Sequence, residues 1–381
     1  MTDALVDGIS DEAQRLERNK QIVWEHFRAL AEGRLEDCLA LVDGGGVYWR
    51  NILFDGRRPS VSLQVWKDAV KAIIERRLAI PWQCEHVHLI NMFAEGDHVI
   101  LEIHNDSIPF HDGARGEPFD MVYFFNIELR DGKIVSIRES LDGFLMDTMI
   151  AEGSWPEIGT DWLDLGTKEK TLAYSLSAGA CGGCGMVHLP TIPPAAGVSP
   201  DKSALQCNKE IACEHFCAIR DGRLDDALAL LDTKGLFWVA ARIGAAPRRP
   251  YPIESWRREL TQIIKRTFLM PWTDGIHLIN AVAEGDKVML EIHNTSAFHP
   301  PLTGNYNMIY NWILTIRDGI ITDVREYPDG LYGVKLFDLI FPETGTSVSP
   351  LFLLGGLPPY QLAEGSCLSC AKIHRQEIQT A

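Results

Sequence analysis

The chain has 381 residues, room for two ordinary domains that each bury a core of their own. Its net charge of −16 argues against nucleic acid and anionic membrane surfaces as partners. No apolar run reaches the ~20 residues of a spanning helix, and the acidic start MTDALVDGISDEAQ lacks the apolar core of a secretory signal. A cytoplasmic location is therefore expected, with the nine cysteines as thiols or metal ligands.

Residues 1–18 read as a polar lead-in. Asn19 to Ala31 predicts an amphipathic helix with Val23, Phe27 and Leu30 on one stripe, ended by Gly33. A short helix is expected over 35–42, a strand over 47–51, and a third helix over 62–78, stopped by Pro81. Strands follow at 84–93, 98–107, 119–130 and 134–141, the last two joined by a loop containing Asp131-Gly132. Helices first and an antiparallel sheet afterwards predict an α+β domain.

The chain then repeats itself. NKQIVWEHFRALAEGRLEDCLALVD, beginning at Asn19, returns as NKEIACEHFCAIRDGRLDDALALLD at Asn208. HLIN, EGD, EIHN, RDG and the Arg138-Glu139 pair also return in the same order. This is a tandem duplication, with repeats at 19–143 and 208–330. Tails follow at 144–207, which includes a Pro-rich linker, and at 331–381. Each tail ends in Cys-x2-Cys-x3-His: Cys181, Cys184 and His188, then Cys367, Cys370 and His374. Such knuckles suit a structural zinc, either as one shared four-thiolate site or as Cys2His plus an outside ligand. An inert thiol pair or a redox dithiol remain the alternatives. Catalysis is expected to need no cofactor.

Strand alternation sorts the polar residues by face. Val135, Ile137, Glu139 and Leu141 share an apolar face. A three-residue loop would put Phe125 opposite Glu139 and Tyr123 diagonal to it. In the second copy Trp312 falls opposite Glu326, with Tyr310 diagonal. A carboxylate among aromatics is desolvated, which suits acid–base work. Glu102 and His104, copied as Glu291 and His293, point the other way and read as interface contacts. Asn105 and Asn294 end the inward face and are candidate substrate ligands, as are the shared Trp49 and Trp238 with Arg50 beside the first.

AEGDHVILEI and ELRDGKIVSIRESLD, with their second copies, resemble the nuclear-transport-factor-2-like superfamily, especially its SnoaL-like branch. PW…HLIN…RDGKI…RE is also similar to the phenazine-biosynthesis condensing proteins. The resemblance implies two tandem cone-shaped domains, each a curved antiparallel sheet wrapped around three helices, packed sheet against sheet as an intramolecular pseudo-dimer. Further homo-oligomerisation is left open. It implies that the Glu of the RE motif points into the pocket. It places His26 and His215 where ketosteroid isomerases hold an oxyanion-donating tyrosine; a core histidine is the plain alternative. His111 and His299 look like a loop histidine of SnoaL-like cyclases. The expected function is acid–base catalysis of the lyase, dehydratase or retro-aldol type. The expected substrate is a hydrophobic aromatic or polycyclic hydroxy or carbonyl compound, for instance a lignin-derived diarylpropane. Glu139 or Glu326 would move the proton, helped by His26 or His215 and Tyr123 or Tyr310. A non-catalytic binder or scaffold, and a polyketide cyclase or isomerase, are the rival readings.

Overall fold

The computed structural model describes residues 11–50, 60–75, 86–105, 110–111, 114–115, 121–141, 203–240, 250–267, 275–298, 306, 308–328 and 376–377. The first repeat runs α1 (Asp11–Ala31), α2 (Leu35–Ala40), β1 (Val42–Arg50), β2 (Ser60–Ser62), α3 (Leu63–Glu75), β3 (Val87–Glu95), β4 (His98–Asn105), β5 (Phe110–His111), β6 (Ala114–Arg115), β7 (Met121–Arg130) and β8 (Lys133–Ser140). The second runs α4 (Ala204–Arg220), α5 (Leu224–Ala229), β9 (Leu231–Val239), β10 (Tyr251–Pro252), α6 (Ile253–Thr267), β11 (Ile276–Glu284), β12 (Lys287–Asn294), β13 (Met308–Arg317) and β14 (Ile320–Pro328). A last short strand, β15 (Gln376–Glu377), pairs with β3 of the first repeat. The cysteine knuckles lie outside the described residues.

Local chemistry explains the helix ends. Gly33 and Gly222 have φ of 73° and 79°. Each closes a helix with the same pair of bonds: Arg34 N to Ala29 O and Gly33 N to Leu30 O, then Arg223 N to Ala218 O and Gly222 N to Ile219 O. Ser62 Oγ accepts from Val65 N and so starts α3.

The strand orders are β15-β3-β4-β7-β8-β1-β2 and β10-β9-β14-β13-β12-β11. Neither sheet is purely antiparallel as expected, because β1 runs parallel to β8 and β9 parallel to β14. The final hairpins also differ from expectation. Asp131-Gly132 and Asp318-Gly319 all have positive φ, which makes two-residue turns matched to strand twist. A bulge between Glu128 and Leu129 then restores one residue, so Phe125 still faces Glu139. It also puts Ile134, rather than Val135, in the core.

Each sheet buries two faces. The concave face packs on the helices of its own repeat, as Val23, Phe27, Leu101, Ile103 and Phe125 do. The other face meets the sister sheet, where Ile100, Val122 and Phe124 of the first repeat share one cluster with Trp238, Met289, Ile313 and Tyr327 of the second. Burying such side chains stabilises by about 1.5–3 kcal/mol each. Polar links cross this contact in matched pairs. Glu102 pairs with Arg325, and Glu291 with Arg138. Lys20 meets Glu284 at 2.8 Å, and Glu284 also accepts from Ala94 N at 2.6 Å. Lys209 and Ala283 N bond to Glu95 in the mirrored arrangement. Glu102 and Glu291 are fully buried, so their outward facing places them between the repeats.

Candidate functional site

Two interiors result, and they share a frame but not their chemistry. In the first, Tyr48 and Arg50 point inward from β1. The parallel register sets Arg50 beside Glu139. Arg50 Nε and Nη2 each lie 2.8 Å from Glu139 Oε2. The Tyr48 hydroxyl donates to the same oxygen and itself accepts from Arg50 Nε at 2.9 Å. No donor among the described residues reaches Glu139 Oε1. Burial opposes the charge on Arg50, but the Glu139 carboxylate outweighs it and the guanidinium sits above its ordinary value. Burial pushes the phenols of Tyr48 and Tyr123 upward, with the Glu139 charge adding to it. Phe125 stands directly across from Glu139, with Tyr123 stacked on it at 5.7 Å and Phe27 at 4.7 Å.

In the second interior the clamp is missing. Phe237 and Val239 hold the places of Tyr48 and Arg50, and Val239 lies beside Glu326. Glu326 has no hydrogen-bond or ion-pair partner among the described residues. Burial alone pushes its carboxyl up to about 8. The group still keeps some surface accessible, unlike the fully buried Arg325 before it. Trp312 faces Glu326 across the β13–β14 ladder. Rings at Phe216, Trp256 and Tyr310 lie 5.1, 5.8 and 5.6 Å from Trp312. The hydroxyls of Tyr306 and Tyr310 bond to each other. Two more polar atoms here, Trp312 Nε1 and His215 Nε2, are buried without a partner among the described residues. Buried polar groups are nearly always paired, so these two atoms stand out beside the unclamped Glu326.

Several expected site residues take other roles. His26 Nδ1 lies 3.1 Å from the Cys38 carbonyl, and His215 Nδ1 lies 2.9 Å from that of Ala227. A carbonyl only accepts, so each ring donates from Nδ1 and ties its first helix to the next. Burial pushes both rings down to about 4, keeping them neutral. Their Nε2 atoms are then acceptors, so the expected oxyanion-donating role is corrected. Trp49 and Trp238 are also corrected. Trp49 packs with Ile279 and Ile309 of the sister repeat. Trp238 lies in the contact cluster with Arg325 3.9 Å over its ring. Asn294 Oδ1 accepts from Ser296 N and Oγ, which closes a local turn. Asn105 is fully buried at the inward end of β4. His111 falls in β5; its side chain, His299 and the four knuckle cysteines lie outside what is described. Among the described residues no group of three or more His, Cys, Asp or Glu could hold a metal ion. None of the described helices is long and apolar enough to cross a membrane. Sequence reasoning missed Tyr48. Its signal was present, since Tyr48 and Arg50 are two apart on one strand.

An α+β cone whose concave face carries aromatics around one carboxyl defines a class of small-molecule pocket proteins. Within it, residues 23–137 match the SnoaL-like domain family. The match falls on the first repeat, and the second copies its element order, which fits a tandem arrangement of one fold. A comparison with curated proteins found no match. Among solved structures, the chain is similar to a nuclear-transport-factor-2-like protein from Burkholderia xenovorans: 18% identity, 35% of this chain, 98% of the other, TM-score 0.28. It is similar to an LEH-like epoxide hydrolase from M. tuberculosis: 17% identity, 37% and 99% covered, TM-score 0.28. It is similar to PrhC from Penicillium brasilianum: 14% identity, 38% and 94% covered, TM-score 0.31. The family supports a small-molecule enzyme or binding role.

Proposed function

We propose that the second repeat is a cofactor-independent acid–base site acting on a neutral, hydrophobic aromatic hydroxy or carbonyl compound, with Glu326 as the proton carrier. The observation that carries this reading is Glu326 itself, a carboxyl with no partner among the described residues, set among aromatic rings. Proton transfer is most effective when the carrier titrates near the working pH. Burial holds Glu326 at about 8, so both its forms are populated around that pH. As the neutral acid it would protonate the leaving hydroxyl and then, as the carboxylate, take the Cα proton, so that water departs and the enone forms. Starting as the carboxylate it would take the hydroxyl proton, the Cα–Cβ bond would break, and that proton would return to the enolate carbon. The aromatic shell would seat the substrate ring. A lyase or dehydratase fits these steps, and a lignin-derived diarylpropane is one substrate of the right chemistry.

The aldol of benzaldehyde and acetophenone tests this directly. Dehydration gives an enone and water; retro-aldol cleavage returns the two carbonyl compounds. Glu326→Gln should lower turnover about 10²–10⁴-fold while the aldol still binds. Dehydration should fall above pH 8 and cleavage should rise through it. Unchanged turnover in Glu326→Gln would refute the assignment, and a wild type that binds the aldol without turning it over would favour the rival, a non-catalytic binding protein.

A further inference from the structure

The first repeat carries a carboxylate whose two oxygens are in unequal states. Glu139 Oε2 takes bonds from Tyr48 and from two nitrogens of Arg50. A carboxylate oxygen offers about two lone-pair sites, so Oε2 is saturated. Oε1 receives nothing from the described residues, although only 6% of the residue is exposed. We propose that the first repeat is a second ligand site, distinct from that of Glu326, in which Glu139 Oε1 accepts a hydrogen bond from the hydroxyl of a neutral aromatic ligand.

Charge selects the ligand class. Arg50 and Glu139 cancel each other, so the pair leaves no net charge to attract an ion. An anion would meet the carboxylate and a cation would meet the guanidinium. A neutral hydroxyl is the complementary donor, and bonds to a charged acceptor are the stronger kind. Phe125 stands across from the carboxylate, and Tyr123 and Phe27 pack on its ring, which together supply apolar area for an aromatic body. The clamp fixes the acceptor beforehand, so the ligand need not order it on binding. The second repeat cannot offer this site, because Phe237 and Val239 replace the clamp. The duplication thus yields two pockets with different preferences, one fixed to accept a hydrogen bond and one able to give or take a proton.

β-Naphthol and its methyl ether are the probes. They differ only in the donor. With the full-length protein, β-naphthol should bind Glu139→Gln about tenfold or more weakly than wild type at one of two sites, since 1.4 kcal/mol is tenfold. The ether should bind both proteins alike. In wild-type protein labelled with carbon-13 at glutamate Cδ, the resonance absent from Glu139→Gln should move with β-naphthol and stay still with the ether. If that variant does not fold, the labelled wild type still decides, because a glutamate resonance that is kept in Glu326→Gln should move with β-naphthol and stay still with the ether. Equal response to both probes would overturn the proposal, as would movement confined to the Glu326 resonance. The Glu326 reading stands or falls separately, on turnover.

Discussion

Glu139 and Glu326 occupy one register position on copies of one strand, and two neighbouring side chains decide what each can do. Val239 leaves Glu326 unclamped, whereas Arg50 and Tyr48 hold Glu139. Installing the clamp in the second repeat, Phe237→Tyr with Val239→Arg, should pull the Glu326 carboxyl down from about 8 toward the ordinary range, because a cation at contact favours the charged form. The midpoint of the pH–rate profile checks it; a midpoint left in place would count against the argument. Stability follows the same logic. A raised carboxyl contributes stability fully present below its unfolded value of 4.5 and lost as pH rises through about 8. His26 and His215 work in the opposite sense. Held down to about 4, they contribute stability that is lost as pH falls from 6.5 toward 4.

At the level of elements, much was legible in the sequence and the misses have physical causes. Phe125 opposite Glu139 and Trp312 opposite Glu326 follow from alternation, and both pairings occur. The connecting loops were misjudged because the two-residue turn and the bulge each shift the register by one, and the shifts cancel. Trp49 and Trp238 were placed with the substrate because strands buried on both faces lose the alternation that separates core from contact surface. The histidines misled for another reason. A carbonyl one short helix away, at Cys38 or Ala227, determines which ring nitrogen donates, and spacing alone does not show it. The missed Tyr48 belongs to the same strand problem as Trp49.

Across the whole molecule, the duplication was the clearest signal, and the two sheets bear it out in matching order. The contact between them anchors the site strands. Arg325 is held by Glu102 of the sister repeat, and the next residue is Glu326. Tyr327 and Asn91 also donate to Glu102, which makes this link well satisfied. Glu102→Gln should cost about 3–5 kcal/mol by removing the carboxylate that pairs directly with buried Arg325, whereas Glu102→Gln with Arg325→Met should recover much of that loss. Chemical denaturation of the single and double variants measures both, and a double variant no better than the single would refute the pairing argument. The proposed acid–base site depends above all on a neutral Glu326 carboxyl at physiological pH. Infrared difference spectra between pH 6 and 10 test it directly. A protonated carboxyl band lost with a midpoint near 8, and absent from Glu326→Gln, is the predicted result. No such band, or one that persists unchanged in Glu326→Gln, would contradict it.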